Sequence, residues 1–122
     1  MPRWLLPGPF PAEFPTDERC AITERLNDPA CPEVSLARAR VAPGVTTRLH
    51  AVRGIVERYV IVAGQGVVEV AGQSAAVGPG DRVLIAAGVA QRISNAGETD
   101  LVFDCLCTPR FVPEAYVDLD AD

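Results

Sequence analysis

The sequence contains no lysine; all 11 basic residues are arginine. Chemistry that needs a lysine amine, such as a Schiff base or a phosphate-loop lysine, is thereby excluded. Positive charge is scarce as well. Sixteen acidic residues outnumber the arginines, for a net charge of −5, and a nucleic-acid surface needs the opposite balance. No apolar run is long enough for a membrane-crossing helix, and the one within residues 1–9 is too short for a secretory leader. The chain is therefore expected in the cytoplasm, with the thiols of Cys20, Cys31, Cys105 and Cys107 reduced and unbridged. None of the four falls in a Cys-x-x-Cys zinc pattern. There is one histidine, His50, so any imidazole chemistry has a single address.

Proline is abundant but uneven. Pro2, Pro7, Pro9, Pro11 and Pro15 crowd residues 1–18, which rules out a regular helix or a central strand there. This stretch reads as an extended arm. Trp4, Leu5, Leu6, Phe10 and Phe14 make it too apolar for a free tail, so it is expected to pack on the body or on a second copy of the chain. Residues 19–112 read as one folded unit, and 48% hydrophobic residues suffice for a single core. Residues 113–122 form an acidic tail, with room for one short helix at 113–117.

Within 19–112 the pattern is β throughout. Short runs rich in β-branched residues recur at 20–26, 34–41, 46–52, 57–63, 67–71, 75–77, 82–86, 91–95 and 101–107, separated by glycine, proline and asparagine turns. Gly64-Gln65-Gly66 reads as a tight turn that pairs 67–71 with 57–63 as a hairpin. Nine or ten short strands without helical periodicity indicate an all-β sandwich or barrel. Side chains two apart on a strand share a face. That rule groups Arg48 with His50 and Val52, Glu57 with Tyr59 and Ile61, Gln91 with Ile93 and Asn95, and Cys105 with Cys107.

Two stretches resemble the paired motifs of the cupin superfamily. Gly44, His50, Val52, Glu57 and Gly64 fit the frame Gly-x5-His-x-His-x(3,4)-Glu-x6-Gly. After a spacer of fifteen residues, Gly80, Ala86, Gly88, Gln91 and Asn95 fit Gly-x5-Pro-x-Gly-x2-His-x3-Asn. The resemblance implies an all-β RmlC-like jelly-roll barrel, a double-stranded β-helix, with the three faces above turned inward. It also implies a homodimer, for which the apolar arm is suited. The departures bear on function, because Val52 and Gln91 stand where the family places two of its histidine ligands.

Three functional readings follow from the resemblance. In the first, His50, Glu57 and Gln91 hold a divalent metal (Fe, Mn, Ni or Zn), open to a small and perhaps anionic substrate. In the second no metal is needed. His50 is a base with Glu57 as its partner, Tyr59 donates a proton, and Arg48 holds an anionic group such as a carboxylate or phosphate. In the third the pocket, lined by Arg48, Val52, Ile61, Gln91, Ile93, Phe103 and Cys105, binds or senses a small molecule without catalysis. Whether the chain is an enzyme stays open, and no organic cofactor, nucleic acid or membrane is expected. Plainer roles also exist: a rim ion pair for Arg48, a core phenol with a bonded hydroxyl for Tyr59, and small buried hydrophobes for Cys105 and Cys107.

Overall fold

The structure is a computed structural model that describes residues 2–120. Met1, Ala121 and Asp122 of the expected arm and tail lie outside the described residues. Eleven strands and a single 3-10 turn make up the regular structure of the described chain. The strands are β1 (Phe14–Pro15), β2 (Ala21–Leu26), β3 (Ser35–Val41), β4 (His50–Val52), β5 (Val56–Ala63), β6 (Gly66–Val70), β7 (Gln73–Val77), β8 (Arg82–Ile85), β9 (Gln91–Asn95), β10 (Leu101–Thr108) and β11 (Tyr116–Asp118). The helix expected at 113–117 is the 3-10 turn Pro113–Ala115.

Two antiparallel sheets face each other. One runs β1-β2-β3-β10-β5-β8 and the other β11-β4-β9-β6-β7. The long strand β10 is central to the first sheet, paired with β3 on one side and β5 on the other. Leu101, Phe103 and Cys107 of this strand are buried, and Arg38 and Asp104 pair across β3 and β10 through two hydrogen bonds of 2.8 and 3.1 Å.

The expected hairpin between 57–63 and 67–71 does not form. β6 pairs with β7 and β9 in the opposite sheet. The cause is a corner at Gly64, where the chain leaves one sheet and enters the other. Gly64 has φ +86° and runs so close to the β9–β10 connection that an added Cβ would lie 2.5 Å from the Asp100 carbonyl oxygen. Only glycine combines that dihedral with that approach.

The arm and the tail join the sheets at their edges. β1 adds to β2 through Phe14↔Ile22. β11 adds to β4, with Tyr116 opposite Val52 and Asp118 opposite His50. The acidic tail expected from residues 113–122 thus contributes an edge strand of the second sheet. Two apolar clusters fill the interior. The larger contains Val41, Ile61, Ile85, Ile93, Leu101 and Phe103, and the smaller contains Val52, Ile55, Cys107 and Ala115. Cys105 packs against both, and residues of both clusters line a common cavity.

Candidate functional site

The cavity between the sheets has a volume of about 370 Å³ and a mainly apolar wall. His50, Val52, Glu57, Tyr59, Ile93, Phe103 and Cys105 line it, so seven of the residues expected at the site converge there. Arg48, Ile61 and Gln91 do not line it. Ile61 is buried deeper, in the larger cluster. Arg48 shows where the face rule stops. Strand β4 begins only at His50, and the preceding residues touch β9 through an isolated bridge at Thr46. Alternation is lost between 46 and 50, and Thr47 rather than Arg48 faces the cavity. The Arg48 guanidinium lies on Asp118 at 3.0 Å.

His50 is 6% exposed and held on three sides. Its Nδ1 lies 2.9 Å from the Arg48 carbonyl oxygen. A carbonyl can only accept, so Nδ1 carries a proton, and in the neutral ring the lone pair is on Nε2. The Tyr116 ring of β11 stacks on the imidazole with centroids 4.9 Å apart and planes at 20°. Glu18 places its Oε1 4.0 Å from Nε2.

Glu18 reaches this position through local chemistry of the loop before β2. The Thr16 hydroxyl donates to the Cys20 carbonyl at 2.8 Å and accepts the Glu18 N–H at 3.2 Å. The Arg48 N–H then donates to the Glu18 carbonyl at 3.2 Å, tying the loop to the segment that carries His50. Burial pushes the Glu18 carboxyl up; the His50 charge opposes this and the Glu57 charge adds to it. Cys20, beside it, has its thiol pushed up to about 12, first by burial and then by Glu18. Neither Glu18 nor Tyr116 belongs to a motif, and sequence reasoning missed both. The available signal for Tyr116 was an aromatic residue inside an otherwise acidic tail.

Glu57 and Gln91 form a chain with Tyr59. The Tyr59 hydroxyl donates to Gln91 Oε1, and Gln91 Nε2 donates to Glu57 Oε1. Gln91 is 1% exposed and sits behind the cavity wall. Tyr59 packs on Phe103 at 4.5 Å between centroids, and burial holds its ionisation well above the usual phenol range. On the other side of Glu57, Oε2 lies 3.1 Å from Cys105 Sγ and 3.7 Å from Cys107 Sγ, and the two sulfurs are 3.7 Å apart. The hydrogen bond to Cys107 raises the Cys105 thiol most, followed by burial and the Glu57 charge.

The cupin domain family model matches residues 37–109, more than half of the chain. The chain belongs to the cupin family. An oxalate-binding protein of Thermotoga maritima is 36% identical over 67 residues, 55% of each sequence, so the match spans about half the length of that curated relative. The crystal structure of a predicted oxalate decarboxylase from Thermotoga maritima superposes with a TM-score of 0.72 at 26% identity, covering 81% of this chain and 91% of that one. The capsular polysaccharide assembling protein CapF of Staphylococcus aureus shares the fold, with a TM-score of 0.75 at 22% identity over 99% of this chain and 37% of that one.

Family resemblance implies a divalent metal held by His50, Glu57 and Gln91. The residues of this cupin do not fit an ion at that position. Val52 offers no donor atom. The Gln91 oxygen is engaged by the Tyr59 hydroxyl, and its amide nitrogen, which cannot ligate, is turned toward Glu57. A different donor group is drawn together. Glu57, Cys105 and Cys107 are buried and offer ligand atoms all within 4.8 Å of one another, a grouping that could hold a metal.

Proposed function

We propose that this cupin takes a neutral, largely apolar organic molecule into the barrel cavity, and that His50 Nε2 acts on it as a base. The observation that carries the reading is the Nδ1 contact to the Arg48 carbonyl, 2.9 Å long. It fixes the tautomer in which the basic nitrogen is the one beside Glu18, and both residues line the cavity. When Nε2 accepts a proton, the Glu18 carboxylate at 4.0 Å stabilises the imidazolium. Glu18 therefore takes the partner role that the sequence assigned to Glu57. The Tyr59 proton is committed to Gln91, which opposes a donor role for it.

Charge supports a neutral ligand. Among the described residues, Asp17, Glu18, Glu24 and Glu57 line the cavity and no arginine does. A dicarboxylate such as oxalate would meet like charges at every ionised wall group, in a low-dielectric space where repulsion is strong. Phe14, Ile22, Val52, Ile93 and Phe103 supply the apolar surface, the usual composition of a small-molecule site.

The test is a ligand screen by thermal stabilisation, with neutral carbonyl compounds and dicarboxylates in equal number. Each hit is then incubated in deuterated water. Neutral hits are expected to stabilise the wild type and to exchange an acidic C–H, and His50→Gln is expected to bind them without exchange. Stabilisation by dicarboxylates alone overturns the reading. Binding of neutral compounds with no exchange by the wild type reduces the protein to a binding module.

A further inference from the structure

The Glu57, Cys105 and Cys107 group shares Glu57 with the position where the cupin frame places its metal but draws its other two donors from β10, and its geometry is that of a coordination face. We propose that Glu57 Oε2, Cys105 Sγ and Cys107 Sγ form a binding site for one soft divalent cation of the zinc or cadmium class, with the fourth position open to the cavity. The site does not depend on the reading of His50.

The distances carry the proposal. Tetrahedral zinc holds thiolate sulfur at ~2.3 Å and carboxylate oxygen at ~2.0–2.2 Å. Two sulfurs on such an ion are then ~3.7–3.8 Å apart, and a sulfur and an oxygen ~3.5 Å apart. Here the sulfurs are 3.7 Å apart, and the oxygen lies 3.1 and 3.7 Å from them. An ion seated over this triangle needs only a few tenths of an ångström of adjustment.

Local structure holds the three donors in place. Cys105 and Cys107 are two apart on β10 and project from the same face. Glu57 is directly opposite Cys107 across the β10–β5 pair, and Tyr59 is opposite Cys105. All three donors line the cavity. Gln91 Nε2 occupies Glu57 Oε1 and leaves Oε2 turned to the sulfurs, with the Tyr59 hydroxyl anchoring the amide from behind. This is the outer support that orients ligands in metal sites. Two thiolates and a carboxylate select soft or borderline ions over magnesium or calcium. Binding converts two thiols and one carboxylate into a complex of net charge −1 and sends two protons to solvent.

The probe is cadmium alone, titrated into the reduced full chain and followed by thiolate-to-metal charge-transfer absorption and by proton release. One cadmium per chain, a charge-transfer band and two protons released are expected. Cys105→Ser and Cys107→Ser should each weaken binding by at least tenfold and diminish the band, and Glu57→Gln should weaken binding with the band retained. Gln91→Ala, which removes only outer support, should weaken binding by ~10–100-fold with the band unchanged in position. The double variant Cys20→Ser, Cys31→Ser and the variant His50→Gln should match the wild type, and circular dichroism before titration confirms that each variant is folded. Absence of the band in the wild type overturns the proposal. So does a band that survives Cys105→Ser combined with Cys107→Ser, or metal binding lost in His50→Gln, which would restore the family's usual position.

Discussion

Glu18 carries the strongest electrostatic consequence among single residues. Its carboxyl is raised by burial, lowered in part by the His50 charge and raised further by Glu57. Its titration, read by carbon NMR, is expected above the usual carboxylate value near 4.5. Glu57→Gln should lower the midpoint and His50→Gln should raise it. The link to stability follows from proton counting. Between pH 4.5 and the raised value the folded chain binds more protons at this group than the unfolded chain does. Glu18 therefore contributes a gain in stability as pH falls through that window and a cost above it, and Glu18→Gln should flatten that slope in urea titrations. No motif frame reaches Glu18. Its position follows from the Thr16 hydroxyl bonds and from a backbone contact to Arg48, and both depend on tertiary approach. His50 and Glu57 were legible because a spaced frame of glycines encodes strand ends. Arg48 was misplaced because the period of two was extended into a segment that is not a strand.

At the scale of elements, β10 and β11 have opposite relations to the sequence. The inward series Leu101, Phe103, Cys105 and Cys107 follows from the period of two along eight strand residues, although the pairing with β5 shifts register between Val102 and Phe103. Leu101 is fully buried, so Leu101→Ala should cost roughly 2–5 kcal/mol, measured as a shift in urea midpoint at constant slope. β11 has only three residues and too little pattern to stand out from a charged tail. It forms because β4 offers an open edge and because Tyr116 can stack on His50. The Tyr116 hydroxyl is buried and has no hydrogen-bond partner among the described residues. Tyr116→Phe should therefore keep the stack and raise stability by about 1 kcal/mol, whereas Tyr116→Ala should lower the melting temperature and loosen His50. A gain for Tyr116→Ala would show that the stack contributes nothing.

For the whole molecule, the fold class was readable because turn glycines, short β-branched runs and the two motif frames agree. The sheet assignment of β6 was not, since a glycine turn looks the same whether it closes a hairpin or turns a corner. The apolar arm remains largely exposed in a single chain: Trp4 is 83% exposed and Leu6 and Phe10 about half. Such a surface suits the homodimer expected from the sequence. Light scattering at micromolar concentration should give the mass of two chains, and deletion of residues 2–12 should give one. A single-chain mass for the full protein removes the dimer.

The corner at Gly64 has a mechanical consequence. It joins the two sheets covalently at one end, and its backbone lies against Asp100 with no room for a side chain. Separation of the sheets is blocked there, whereas Phe14 and Thr16–Glu18 lie in a two-residue edge strand and the loop after it, at the rim of the cavity. Amide hydrogen exchange should accordingly be slowest beside the corner and fastest at the rim. Under the proposed base role of His50, stiffening the loop that carries Glu18 is then expected to slow the admission of a guest as well as to alter proton transfer.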